Sequence, residues 1–412
     1  MPKSKKHNIL IITYWSYADA LVQTYTLPYV KMIAEILPPS SKIYLFTKEQ
    51  AHLSMNKMEW KAEKQQLAEK YKIHLLRSTY QHFGLLAILT NLFVLLRLYG
   101  LIWQKNIKTI HAWCTPAGAF AYILARFSGK RLIIDSFEPH AEAMLENGSW
   151  TKKSLAYKSL IYFEKRMAKR AVAIIGTTAA MQEYAAKTYN TKLKQFFVKP
   201  SGVNTTLFSP NKDSREKNRK ELALNENAVV GVYIGKFGGI YLYDEIILLI
   251  KAAQEQWGKD FYLFIYTSSD TKEIEKKLQK QHIDLRQICL SSYMPHQQVP
   301  QYLNIADFAI NPVKPVPTKR YCTSIKDGEY WAMGLPIIIP PDISDDSDLI
   351  AKENIGVIWE DFSLQGCKTA IENMHELLNS RDIAVIKKKI RNIAIEKRSF
   401  NNAKEIYNSL YR

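Results

Sequence analysis

Residues 323–339 read TSIKDGEYWAMGLPIII. Two hydroxyl residues open the stretch and can cap a helix beginning near Ile325; Gly334 stops it, and Pro336 leads into an apolar run. A helix feeding a strand that is apolar throughout is half of a parallel-sheet repeat, because such strands are covered on both faces. The same unit recurs along the chain. Strands are expected from Asn8 (NILIITY), Lys42 (KIYLF), Lys72 (KIHLL), Lys108 (KTIHA), Arg131 (RLIID), Val172 (VAIIG) and Phe196 (FFVK). After a polar segment at 200–221, PSGVNTTLFSPNKDSREKNRKE, which reads as a linker, they resume. The second set starts at Val229 (VVGVYIGK), Phe261 (FYLFIYT), Gln287 (QICLSS), Asp307 (DFAINP), Leu335 (LPIIIP) and Ile355 (IGVIW). Helical spacing fills the gaps, so the order predicts an α/β protein of two doubly wound, Rossmann-like parallel-sheet domains. The expected boundaries are 1–205 and 206–389. A long basic helix at 383–411 follows, with residues 390–412 packing back on the first domain. Ligands of such sheets bind at the carboxyl ends of the strands, where strand order reverses, so two domains facing across a cleft should hold the site between them.

Composition agrees with this division. The chain has 412 residues, enough for two cores of about 200 residues each. Lys and Arg number 57 against 39 Asp and Glu, a formal +18, which favours an acidic partner. The four cysteines (Cys114, Cys289, Cys322, Cys367) show no CxxC spacing and fit a reducing cytoplasm. The basic N-terminus runs into only a short apolar stretch, without a small-residue cleavage pattern, and is read as a buried first strand. FGLLAILTNLFVLLRLYGLIW at 83–103 is long enough to span a bilayer, but Thr90, Asn91 and Arg97 interrupt it and a span would break the α/β alternation. A buried or membrane-surface helix is expected there. The segment at 150–170, WTKKSLAYKSLIYFEKRMAKR, places cations among apolar residues at helical spacing, as in a helix lying on anionic lipid or over an ordinary core.

The chemistry concentrates on the opening stretch. The first turn of a helix leaves backbone N–H groups unpaired, which with the helix dipole seats a phosphate. Lys326 adds an ammonium to that turn. Glu329, at i+3, shares its face and, as a pure acceptor, suits two neighbouring hydroxyls such as those of a ribose. Phosphate and ribose together mean a nucleotide; a solvated Lys/Glu pair is the plain alternative.

The segment from Leu290 to Pro341 resembles the donor half of the GT-B glycosyltransferases, in particular the retaining group called glycosyltransferase family 4. Ala306-Asp307-Phe308 matches its Ala-Asp-Phe strand. Lys326, Glu329, Tyr330, Ala332, Gly334 and Pro336 match its Ser-Pro-x-Lys-x-x-Glu-Tyr-x-Ala-x-Gly-x-Pro run, with Thr323-Ser324 in place of Ser-Pro. VYIGKFGG from Val232 and PSGVNTTLFSP from Pro200 are similar to its basic loop and its domain junction. The resemblance implies that Glu329 holds the ribose and that Lys326 and Lys236 hold the diphosphate and neutralise it as it departs. Gly235, Ser324 and Arg320 would complete that site, with Lys319 an alternative to Arg320 as extra charge, and the loop Tyr293-Met294-Pro295-His296 would contact the base. Two family features are replaced: a second glutamate by Tyr321, and a second cation in the basic loop by GGIYLYDE.

In the first domain, IIDSFEPHAEAM puts Asp135, Glu138 and His140 after a strand. The resemblance places His140 near the transferred sugar and Glu138 on the acceptor side. Asp19, in the first-strand loop, is a further acceptor-side candidate whose simpler role is to cap the next helix. Asp346-Ser347-Asp348 has the metal-binding pattern of a different glycosyltransferase fold, but a helix N-terminus explains it, and no divalent metal cofactor is expected.

The function expected from the resemblance is retaining, metal-independent hexosyl transfer from a nucleoside-diphosphate sugar to a hydroxyl of a glycan or lipid-linked acceptor, in cell-surface polysaccharide or glycolipid biosynthesis. A GT-B sugar-nucleotide epimerase is the alternative enzyme. A basic nucleic-acid-binding protein is the non-enzymatic one, although no nucleic-acid motif is present and none is expected as a partner. A cytoplasmic protein, peripheral on an anionic inner membrane face, is the expected location.

Overall fold

The computed structural model describes residues 6–81, 84–292 and 294–411. Phe83 and Tyr293 lie outside them. The chain forms two compact units: everything up to Pro200 together with the chain from Phe400 onward, and Ser201–Ser399.

In the first unit seven strands pair in parallel: β1 (Asn8–Thr13), β2 (Ile43–Glu49), β3 (Ile73–Thr79), β4 (Ile107–Trp113), β5 (Arg131–Phe137), β6 (Ala173–Gly176) and β7 (Phe196–Val198). Their order is β3-β2-β1-β4-β5-β6-β7, so the winding across the sheet reverses between β1 and β4. Every residue of β1 is buried, and its middle, Ile9–Ile12, reads as an unbroken apolar run. Burying each of its isoleucines stabilises by about 1.5–3 kcal/mol relative to exposure. The returning helix Ala403–Tyr411 closes this unit. Tyr407 donates its hydroxyl to Asp135 at 2.8 Å, and Tyr411 Oη lies 2.5 Å from His111 Nδ1.

The second unit holds six parallel strands: β8 (Val229–Ile234), β9 (Phe261–Tyr266), β10 (Ile288–Ser291), β11 (Phe308–Ile310), β12 (Ile337–Ile339) and β13 (Gly356–Ile358). The order is β10-β9-β8-β11-β12-β13, with the reversal between β8 and β11. All thirteen strands expected from the sequence are present.

Two readings change. Residues 200–221 are not a free linker. They contain the helix Lys212–Glu221, capped by Asn211, whose Oδ1 accepts from Ser214 N at 2.8 Å. Arg215 and Arg219 fasten it to Asp307 at 2.5 and 3.3 Å. The long C-terminal helix is also broken. The helix Ile383–Ile393 passes through a wide turn at Ala394–Arg398, and extended Ser399 precedes the restart at Ala403.

Candidate functional site

In the second unit the crevice at the strand reversal is bordered by the loops after β8 and β11, where open parallel sheets take their ligands. The loop after β8 is IGKFGGIYL. Gly235 N–H donates to Tyr266 O at 2.9 Å, and the Tyr233 hydroxyl donates to Lys236 O. Leu242 N–H donates to Pro312 O at 2.8 Å and Lys314 N–H to Ile240 O at 3.0 Å, tying this loop to the one after β11. Lys236 is exposed on it.

The helix Ile325–Ala332 runs alongside. Ser324 stands at its N-cap in an extended conformation and makes no side-chain cap bond, so the first-turn N–H groups keep their binding capacity. Ser201 N–H donates to Thr323 Oγ1 at 2.7 Å, and the Arg398 guanidinium donates to Ser324 O. The helix start is therefore held from outside. One turn in, Ile234 N–H donates to the buried Tyr330 hydroxyl at 3.0 Å, locking the helix to β8.

This scaffold gives Lys326 an unusual seat. Its ammonium is shielded from solvent and has no hydrogen-bond partner among the described residues. It rests 4.1 Å from the Tyr241 ring centroid and 5.4 Å from that of Tyr233. It also sits against Gly235, where a Cβ would meet it at 2.7 Å. Cation–π attraction offsets only part of the cost of a desolvated ammonium, so this group is preorganised for an anion. Glu329, one turn on and mostly buried, meets His296, whose Nε2 lies 2.7 Å from its Oε1. The His296 ring packs on Phe208 at 5.3 Å, and Met294 is partly buried against the same cluster.

Behind the helix lies a buried charge cluster that sequence reasoning missed. Asn311 Nδ2 donates to both carboxylate oxygens of Asp327, at 2.7 and 2.8 Å. Arg398 pairs with Asp346 at 2.7 Å. Burial, reinforced by the negative Asp346 nearby, pushes the Asp327 carboxyl up to about 8. With the folded value above the ordinary 3.8, the folded protein binds the extra proton. Stability should therefore fall as the pH rises from about 4 to about 8 and level off above that. Asp327→Asn, which removes the titration, is expected to flatten this dependence and to melt higher than the parent protein at pH 9. Thermal unfolding at pH 5, 7 and 9 checks it.

The Asp346-Ser347-Asp348 triplet is directed to arginines. Asp346 meets Arg398, and Asp348 meets Arg320 at 2.5 Å. Ser344 Oγ accepts from Asp346 N at 3.2 Å, just ahead of the helix Asp346–Glu353. Arg320 also donates to Ser344 O at 2.8 Å, so its guanidinium is committed to this segment. Tyr321 and Lys319 occupy the short turn Pro317–Tyr321 before the helix. Tyr241 was overlooked, although it lies in the stretch that replaces the second loop cation.

In the first unit, Asp135 belongs to β5 rather than following it, and it is fully buried. Burial alone would raise its carboxyl, but Lys199 at 3.0 Å and the His111 and Tyr407 contacts hold it down at about 2. Its role is structural. Glu138 and His140 do follow β5; their side chains meet at 3.1 Å and are partly exposed. Asp19 Oδ1 accepts from Leu21 N at 2.8 Å, capping the start of the next helical segment.

The comparison with solved structures is extensive. Sucrose-phosphate synthase from Thermosynechococcus elongatus superposes with a TM-score of 0.72 at 17% identity, covering 99% of this chain and 98% of that one. HepE from Anabaena, solved in complex with UDP, gives 0.70 at 14% identity over 98% and 99%. WaaG, a glycosyltransferase of lipopolysaccharide biosynthesis, gives 0.68 at 12% over 98% and 99%. The fold is GT-B. No protein-family profile matches the sequence, and no curated protein matches it.

Proposed function

We propose that the protein is a retaining, metal-independent glycosyltransferase. It takes a hexosyl group from a nucleoside-diphosphate sugar and passes it to a hydroxyl of a glycan or lipid-linked acceptor, in the synthesis of cell-surface polysaccharide or glycolipid. One observation carries the reading: a shielded ammonium, Lys326, without a hydrogen-bond partner among the described residues, one helical turn before a carboxylate and against a glycine loop. Lys326, the exposed Lys236 and the uncapped helix N-terminus receive the charge that grows on the departing diphosphate. Glu329 accepts from the ribose hydroxyls, and His296 holds its carboxylate in orientation. Gly235 keeps the backbone close to the phosphates. The acceptor hydroxyl, for which His140 and its partner Glu138 of the first unit are the candidate binding residues, attacks on the face the diphosphate leaves. The C–O bond to the sugar's anomeric carbon forms as the bond to the diphosphate breaks, and the acceptor proton leaves with the departing group. The UDP and UDP-glucose complexes of HepE support a uridine nucleotide as the first donor to test.

A thermal-shift panel of UDP-, GDP-, ADP- and CMP-sugars tests the reading. Ligand at 100 times its Kd stabilises by about 2.7 kcal/mol, a rise of several degrees for units of this size. One nucleoside-diphosphate sugar should produce that rise with and without chelator, and Glu329→Ala should abolish it. No shift with any member, or a shift that chelator removes, would count against the donor assignment or the metal-free mechanism respectively. The anomeric configuration of the product, read by NMR, decides retention.

A further inference from the structure

The helix Leu85–Gln104 connects β3 to β4 in the first unit and presents an apolar outer surface. Ala87, Val94, Leu98 and Ile102 are buried and define its inner side. At roughly 100° per residue, the residues opposite them are Leu86, Leu89, Phe93, Leu96 and Trp103. These are 65%, 56%, 67%, 63% and 56% exposed. A helix on a soluble core carries polar residues on that side, so this stripe is inverted. Its only charged residue is Arg97.

The surroundings say what covers it. The helix packs beside Thr115–Ser128, which in turn packs beside Leu155–Arg170. Every exposed charge on these three helices is Lys or Arg. The single acid among them, Glu164, is buried and accepts from Ala141 N at 2.9 Å and from the Tyr189 hydroxyl at 2.9 Å. The apolar surface continues at the far end, where Phe127 is 72% exposed and Lys130 lies 4.5 Å from the Trp103 ring centroid. Indole and ammonium side by side at the rim of an apolar face suit the boundary between lipid headgroups and acyl chains.

We infer that this face docks the protein on an anionic lipid bilayer, with the Leu85–Gln104 helix lying in the headgroup layer rather than crossing it. By length and composition alone the helix could span, at a mean hydropathy of 1.8. Spanning, however, would pull Val94, Leu98 and Ile102 out of the core and break the β3-to-β4 connection. Lying flat keeps the inner side packed and gives the outer side to lipid. A second copy of the chain is a poorer occupant, since it would bring two sets of cations together, whereas anionic headgroups neutralise them. This inference stands apart from the donor site and from the reaction proposed above.

The test is co-sedimentation of the full-length protein with vesicles of phosphatidylcholine alone or with about 30% phosphatidylglycerol, at about 0.15 M salt, where surface charge still acts over about 8 Å. Sedimentation with the anionic vesicles, weakened at least about tenfold by Leu89→Gln/Phe93→Gln with no loss of melting temperature, supports the assignment. Removing exposed apolar side chains should leave the fold intact, and the unchanged melting temperature checks this. Failure to bind anionic vesicles, or binding unaffected by the double substitution, overturns it. So does a dimer in solution that the same substitution dissociates, which would assign the face to a second copy.

Discussion

Replacing Lys326 by Met is expected to lower kcat by about 10²–10³-fold, the usual loss when one preorganised charge-stabilising group is removed from a reacting site. The same change should raise the melting temperature of the ligand-free protein. The Lys326 ammonium lies out of solvent against Gly235 and the faces of Tyr241 and Tyr233, with no hydrogen-bond partner among the described residues. Keeping a cation there without a hydrogen-bonded partner costs free energy that a thioether does not. Methionine fills the aromatic seat at similar length. A gain of about 1 kcal/mol, or a few degrees, is the expected sign and scale. Opposite movement of rate and stability is the informative result, because a lysine that merely held the fold would lose both together. Measuring kcat and the melting curve on one preparation decides between them.

Arg398→Met is expected to destabilise the second unit by about 3–5 kcal/mol, the cost of leaving a buried charge without its partner. Arg398 is 1% exposed and serves three segments: it pairs with Asp346 and donates to Ser201 O and Ser324 O. Its loss would leave Asp346 and Asp327 buried close together with no cation between them and the interior. It would also release the start of the helix that carries Lys326, so the KM for the donor should rise as well. Lowering the pH should recover part of the lost stability, since protonating a buried carboxylate removes the charge that the arginine balances. Urea denaturation at pH 5 and pH 8 reads both effects. Equal losses at the two pH values would show that the guanidinium acts through packing instead.

The two predictions rest on residues that differ in how readable they were. Lys326 and Glu329 could be found because helical spacing is local and short: three residues apart means one face. The strands were legible for a similar reason. Strands such as β1 and β12 are buried on both sides, and nothing polar interrupts them. Arg398 carries no such mark. It sits in a run of basic residues, and its partners lie 52, 74 and 197 positions away along the chain. The helix Lys212–Glu221 was missed because it buries no residue and so has no apolar period; its support comes from a cap and from arginines reaching Asp307. The break at Ser399 was hidden because neither glycine nor proline announces it. Tyr241 is an intermediate case. Its place in the loop pointed to the phosphate side, but only the fold shows that its ring supports a lysine rather than replacing one.

The route of the chain has a consequence for how the protein can be divided. The polypeptide leaves the first unit after Pro200 and returns at Phe400. The two crossing strands run side by side, with Val203 N–H donating to Arg398 O at 2.6 Å and Arg398 Nε to Ser201 O at 2.9 Å. Topologically, the second unit is an insertion whose entry and exit meet at one point. A gene ending near residue 200 would deprive Asp135 of the Tyr407 hydroxyl and His111 of Tyr411. A short splice joining residue 200 to residue 400 keeps them, so the first unit alone calls for excision of the inserted segment rather than truncation.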